Sequence, residues 1–372
     1  MKRINSICLS IFILLFIPGC WDQDLLGEAR LLYGGGFDLT PNGKLLSTFV
    51  IRDSPASEQQ GPRNDILFTI GNTPGETRDE ADNQLSRMLR TYKNRIILIG
   101  EERAKQDISP ILDVFYRDSK SALNARIGVT KGRAADILSL KKVGNVLIEE
   151  EIDELIKSEE ATTTVPKVTI ETIYPVMLDP GEDYVLPYLI KKKGRVNVSS
   201  IAMFHKNQFT GILSPRESTM YLLLKNNKGK VTRFTQKIST REHQNNYNFI
   251  TFNVEKSKLK KKILIQSQDL ILVNLKLKWK VSIVEYPKDQ LKDKKLIEEL
   301  NKLLSKEMTH LAEQTLKKMQ KARCDGLGLG RQLMAFHPDT WKKQGGDWES
   351  NYQEVQFVPE IQVEIAIKGI IN

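Results

Sequence analysis

Apolar and polar positions change period repeatedly along this chain, and each change marks an element. Residues 29–33, with Gly34 to Asp38 after them, read as a strand. Residues 44–52 alternate well enough to return beside it through the turn signal Thr40-Pro41-Asn42-Gly43. After a polar, proline-bearing loop at 54–64, residues 66–70 repeat the strand pattern. Thr73-Pro74-Gly75-Glu76 then carries a helix-start signature. The Thr73 hydroxyl can accept from the Glu76 amide, Glu76 can reach back, and Pro74 sits where a missing N–H costs nothing. This helix is expected to run to about Thr91. Residues 95–100, RIILIG, are apolar without alternation, as in a strand covered on both faces. A helix at 108–116 and a strand at 125–130 follow, and such alternation predicts an α/β lobe. Residues 134–160 read as one helix. Its acidic second half, from Glu149 to Glu160, reads as a solvated face, because no glycine-centred ligand loop of the calcium-binding kind accompanies it. Residues 162–190 read as short strands and turns.

The second half is patterned differently. Residues 196–213 read as a hairpin turning near Lys206-Asn207. Ser214-Pro215-Arg216-Glu217 repeats the helix-start signature, for a helix to about Lys225. Strands are expected at 230–238, 248–256 and 260–267. Residues 273–286, VNLKLKWKVSIVEY, alternate apolar side chains with lysine, so one face is buried and the other basic. Residues 288–323 form the longest helix, ~54 Å at 1.5 Å per residue. Its Leu296, Leu300, Leu303, Met308, Leu311 and Leu316 recur mostly three or four apart, as a core stripe does. A final strand spans 356–371. The fold class is therefore α/β and α+β, a multidomain body of mixed sheets with packed helices. Its long C-terminal helix lies against a mainly antiparallel sheet. An N-terminal α/β lobe is expected at 20–195, within which 134–190 can form a small subdomain, and a C-terminal α+β lobe at 196–372.

The start of the chain has its own pattern. Lys2 and Arg3 precede an apolar run at 7–17, too short for the ~20 residues that a membrane span needs. Residues 1–19 fit a signal peptide. Ile17, Pro18, Gly19 and Cys20 resemble a bacterial lipobox, with Gly19 before the cut and Cys20 as the new N-terminus. In such signals the cysteine thiol receives a diacylglycerol, and two acyl chains give a stable anchor where one gives a marginal one. Cys20 is thus the expected lipidation site, and the body beyond it is expected to be tied to the outer leaflet of a membrane. Cys8 leaves with the signal peptide, so Cys324 has no disulfide partner.

Charge is unevenly spread. Residues 20–190 hold 20 Lys and Arg against 28 Asp and Glu, and residues 191–372 hold 34 against 18. The balances, −8 and +16, predict differently facing lobes. A basic lobe on a tethered protein fits anionic lipid head groups or an acidic partner, and Lys258, Lys260, Lys261 and Lys262 are candidates for that contact. Nucleic acid is the usual alternative for basic surfaces, but the export signal argues against it.

No catalytic constellation emerges. Gly326-Leu327-Gly328-Leu329-Gly330 lacks the third glycine of a dinucleotide fingerprint, since Arg331 stands there, and it ends a helix instead of opening one after a strand. His205, His243, His310 and His337 lie far apart without metal-site spacing. Nothing near Cys324 in sequence activates its thiol. Trp341 and Trp348 are expected to anchor an irregular segment to the core. No catalytic, cofactor or metal residue is nominated.

The whole chain resembles the Ger(x)C-type spore germination lipoproteins. The resemblance rests on Cys20-Trp21-Asp22, on RIILIGEERA at 95–104, on VTKGRAADIL at 129–138, and on the ending DGLGLGRQL, HPDTW and QVEIAIKG. It implies a non-enzymatic lipoprotein subunit of a nutrient receptor required for nutrient-triggered germination. That subunit would sit on the outer face of the spore inner membrane beside two polytopic membrane subunits. It carries over no site residue beyond Cys20. The alternative function is an extracytoplasmic solute-binding lipoprotein, which would need a deep cleft between lobes.

Overall fold

The computed structural model describes residues 29–53, 61–238, 246–266, 270–288 and 291–367. The expected signal peptide, Cys20 and His243 lie outside them, as do 54–60 of the expected loop and 368–371 of the final strand.

Strands β1 (Ala29–Leu39) and β2 (Leu45–Asp53) form the expected hairpin, and β3 (Arg63–Gly71) extends it antiparallel. Helix α1 (Pro74–Gln84) starts as its signature requires, with Thr73 Oγ1 accepting the Glu76 N–H at 3.1 Å. The Glu76 carboxylate, however, takes the N–H of Asn72 at 2.6 Å. The helix also stops at Gln84, short of Thr91. Asp82 accepts the Leu89 N–H at 2.6 Å, and β4 (Met88–Arg90) pairs in parallel with the start of β1.

Strand β5 (Ile96–Gly100) is buried along its whole length and runs parallel to β1 and to β6 (Arg126–Thr130). Helices α2 (Glu101–Ala104) and α3 (Ser109–Arg117) connect β5 to β6. The single helix expected over 134–160 is instead α4 (Ala134–Leu138), a small hairpin β7 (Lys142–Val143) and β8 (Val146–Leu147), and α5 (Ile148–Ala161). Lys141 and Gly144 break it with φ of 58° and 61°, values outside the helical range. Helix α6 (Ile170–Met177) takes part of the stretch expected as strands, and β9 (Val185–Lys192) runs parallel to β6. Strands β10 (Arg195–His205) and β11 (Gln208–Leu213) turn on Lys206 and Asn207, with φ of 47° and 62°. A two-residue hairpin turn needs such a left-handed pair.

Among the described residues, β1–β6 and β9–β11 form one mixed sheet, ordered β11-β10-β9-β6-β5-β1-β2-β3 with β4 on β1. Its centre is parallel and antiparallel hairpins flank it. The division expected at 195/196 falls at the start of β10, which pairs with β9, so the sheet continues across it. Helices α3 and α6 pack on Ile97, Ile99 and Ile127; α4 and α5 pack on Ile96, Leu98 and Leu189. Covered on both faces, these strands have no reason to alternate.

The acidic side of α5 is not the solvated face expected. Glu149 is fully buried, accepts from Asn64 Nδ2 at 2.6 Å and pairs with Arg52. Asp153 and Glu160 bind Arg126 at 2.6 and 3.1 Å. The arginines stand on β2 and β6, so these carboxylates seat the helix on the sheet.

Helix α7 (Pro215–Leu224) opens with Glu217 accepting the Ser214 N–H at 2.7 Å. Strands β12 (Arg233–Lys237), β13 (Phe249–Ile265) and β14 (Ile271–Glu285) are antiparallel neighbours. The two strands expected at 248–256 and 260–267 are thus one, β13, bent at two bulges. Helix α8 (Lys294–Lys321), short helices α9 (Leu329–Phe336), α10 (Pro338–Gln344) and α11 (Trp348–Glu354), and β15 (Gln356–Ile367) follow. Strand β15 joins β14 in parallel, which requires a crossover such as α8. The expected long helix on a mainly antiparallel sheet is therefore present.

Helix α8 does more than cover the sheet. Asn301, Ser305 and Thr309 accept the N–H groups of Ile365, Val363 and Ile361 at 3.0, 2.9 and 3.0 Å. Four helical residues advance about 6 Å and two strand residues about 6.6 Å, so the ladders stay in step. The helix thereby closes an edge that would otherwise invite another strand. No helix among the described residues is long and apolar enough to cross a membrane.

Candidate functional site: a buried joint between the two sheets

The glycine-rich stretch after α8 meets the loop before β9. The Asp183 N–H donates to the Asp325 carbonyl at 3.1 Å, and the Arg331 N–H to the Gly181 carbonyl at 2.9 Å. The Asp325 N–H donates to Asp183 Oδ2 at 2.8 Å. A Cβ on Gly181 would lie 2.4 Å from the Arg331 nitrogen, and one on Gly330 would lie 2.7 Å from Trp348 Nε1. These glycines let two backbones touch.

Asp325 is the centre of the joint. It is buried and accepts from the Leu329 N–H at 2.9 Å, the Gly330 N–H at 2.8 Å and Trp348 Nε1–H at 3.1 Å. It therefore caps α9 and ties α11 to it. Burial pushes its pKa up to about 7 against the pull of those donors. The neighbouring Cys324 is buried too, and burial raises its thiol well above the ordinary range, so it lacks the thiolate that a nucleophile needs. Trp341 and Trp348 meet with their rings tilted by 58° and centroids 5.6 Å apart, Trp348 buried, as core anchors.

The rim of the joint is charged. His205 Nδ1 lies 3.2 Å from Asp183 and Nε2 lies 3.4 Å from Glu349. Lys206, at 2.5 Å, and Arg323 also pair with Glu349. Burial pulls His205 down, but Asp183 and then Glu349 outweigh it and raise the imidazole above its usual 6.5. The Lys206 hydrogen bond holds the Glu349 carboxyl at about 2. A cleft of 410 Å³ opens here, between the 176–184 loop, the 205–207 turn and residues 345–349. A second cleft, of 820 Å³, lies within the first sheet's helical cover and is lined by Arg78, Arg103 and Arg117. Asp118, the Asp107 carbonyl and Asp113 respectively engage those arginines.

Of the histidines singled out in the sequence, His205 enters the joint, His310 is exposed on α8 and His337 ends α9. No three metal-ligating side chains are grouped among the described residues. Lys261 does not share a face with Lys258, Lys260 and Lys262. It stands opposite Leu275, and burial lowers its pKa. Sequence reasoning missed Asp325, Asp183 and Gly181. An acidic residue shortly before a helix start was the available signal for Asp325.

Residues 22–191 match the family model described as the spore germination protein N-terminal domain. Residues 199–369 match that of the spore germination B3/GerAC-like C-terminal domain. The chain belongs to the GerC-type family of spore germination proteins. It is 24% identical to spore germination protein GerQC of Bacillus cereus, over 100% of this chain and 99% of that one. It is 23% identical to spore germination protein B3 of Bacillus subtilis (strain 168), over the full length of both. The crystal structure of the GerBC protein has the same fold, with a TM-score of 0.60 and 19% identity over 93% of this chain and 100% of that one.

In this GerC-type protein the joint makes stability depend on pH. His205, raised in the fold, contributes fully below 6.5, and that contribution is lost as pH rises through its folded value. Asp325, also raised, acts in the same direction: its contribution is full below 3.8 and is lost as pH rises through about 7. Glu349 acts oppositely: its contribution is present above 4.5 and is lost as pH falls towards about 2. Thermal midpoints should therefore be highest near about pH 4, where Glu349 is ionised in the fold and Asp325 is still protonated, and decline from there through pH 7. His205→Gln should flatten part of that decline. Midpoints that rise steadily from pH 5 to pH 8 would contradict these assignments.

Proposed function

We propose that this GerC-type protein is the lipoprotein subunit of a spore nutrient receptor. Acylated Cys20 holds it on the outer face of the spore inner membrane. It works by tethering and by contact with polytopic membrane subunits, without chemistry of its own. The match of both halves to spore germination family models supports this reading most. The family is one of germination proteins and is not a known enzyme family. Cys20 stands nine residues before β1, a tether of about 30 Å when extended. The solute-binding alternative draws on the 410 Å³ cleft, but His205, Lys206 and Glu349 on its wall already neutralise one another.

Two measurements on spores test the proposal. Cys20→Ala should leave the protein unprocessed or released by a salt wash, and wild type purified from spore membranes should bring polytopic proteins with it. Deleting the protein should abolish germination by its cognate nutrient and spare stimuli that bypass nutrient receptors. Firm retention and full activity of Cys20→Ala would remove the anchor. Normal germination of the deletion strain with every nutrient, with no sister protein substituting, would put the solute-binding alternative ahead.

A further inference from the structure

We infer that the outer face of the C-terminal sheet is a docking surface for an anionic phospholipid membrane. The register of β13 and β14 sets Lys256 opposite Lys280, Lys258 opposite Lys278, and Lys260 opposite Lys276. All six are exposed on one face. Like charges directly opposite one another destabilise a sheet, so this face is not arranged for stability. Glutamates on β15 offset part of it: Glu360 pairs with Lys276 at 2.7 Å and Glu364 with Lys280 at 3.7 Å. The lysines of β13 make no ion pair among the described residues. Lysines do protect free sheet edges against pairing. That accounts for β13, which β12 covers only along residues 249–253. It does not account for β14, which lies inside the sheet between β13 and β15.

The chemistry favours lipid over an acidic protein. The cations that β13 and β14 place on the face are all lysine, which protein interfaces disfavour, and the exposed arginine at its β12 end, Arg233, is engaged by Asn253 Oδ1 at 3.0 Å. Lysine is a flexible, hydrated point charge suited to mobile phosphate groups, whereas a fixed carboxylate partner is better matched by arginine. The same face ends in apolar side chains, with Leu264 opposite Leu272 and the exposed Val358 beside them. A basic stripe leading to an apolar end is the composition of a surface that rests on head groups. The opposite face, with Leu275, Leu277 and Trp279, is committed to the core.

This inference does not depend on acylation of Cys20, and its test omits that residue. The chain from Trp21 to Asn372 holds every described element. It should sediment with phosphatidylglycerol vesicles at low salt, release as salt rises, and ignore phosphatidylcholine vesicles. The variant Lys258→Gln/Lys260→Gln/Lys278→Gln should bind phosphatidylglycerol roughly 100-fold more weakly, at about five-fold per charge. Its thermal midpoint should be unchanged or raised, because repulsion is relieved. Lys294→Gln/Lys295→Gln/Lys302→Gln, on α8, should bind within about two-fold of wild type, since exposed charges a Debye length from the surface are screened. Salt-independent binding, equal binding to both lipids, or wild-type binding by the face variant would overturn the proposal. If the face variant kept its lipid binding but lost capture of polyglutamate, the occupant would be an acidic polypeptide and the lipid assignment would fall.

Discussion

Truncation after Glu354 is expected to leave the C-terminal sheet unfolded. The lost segment contains Val355, Ile361, Val363 and Ile365, all buried in the core of that lobe. At ~1.5–3 kcal/mol for each buried aliphatic side chain, they supply about 6–12 kcal/mol. A whole domain is stable by only ~5–15 kcal/mol. Strand β14 would lose its parallel partner along residues 272–282. Asn301, Ser305 and Thr309 of α8 would face no strand at all. Trp279, at 1% exposure, reports the outcome directly. Its emission should shift towards that of solvated indole, and protease should cut within 270–321. A truncated chain that kept buried-tryptophan emission and resisted protease there would refute the view that β15 is integral to the lobe.

Asp325→Ala should be the most damaging single substitution at the joint. It strands three buried donors, the Leu329 and Gly330 N–H groups and Trp348 Nε1–H. A buried donor left without an acceptor costs ~1–3 kcal/mol, so the sum for three is on the order of 3–9 kcal/mol. In a chain of 372 residues that lowers the thermal midpoint by roughly 4–12 °C. Asp325→Asn keeps one oxygen and the volume, so its loss should be about half as large. Having no proton to release, it should also lack the Asp325 part of the decline, which runs from 3.8 to about 7. A midpoint for Asp325→Ala indistinguishable from wild type would mean that water replaces the carboxylate and that the joint is looser than its hydrogen bonds imply.

What the sequence determined by itself was local. The period-two alternation of 273–286, the unbroken apolar run at 95–100 and the caps at Thr73 and Ser214 each marked an element that is present. The two-residue signal Lys206-Asn207 marked its turn. These features depend on neighbours within a few residues, where backbone sterics and side-chain spacing act. Its motifs also pointed to the family that the comparisons show.

Everything that needed a partner distant in sequence was decided by the tertiary structure. The carboxylates of α5 looked solvated because their arginines, Arg52 and Arg126, lie up to 98 residues away on the strands beneath. Asp38 read only as the end of a strand segment, yet it is buried and accepts the N–H groups of Ala134 and Ala135 at the start of α4. The lysines of β13 and β14 showed period two in the sequence, but only the strand register set them face to face and turned Lys261 away. Gly181 and Gly330 carried no local signal for contact, and their roles follow from two backbones approaching where any Cβ would collide. Burial and pairing are properties of the assembled chain. They set the cost of each charge, and no reading of neighbours in sequence supplies them.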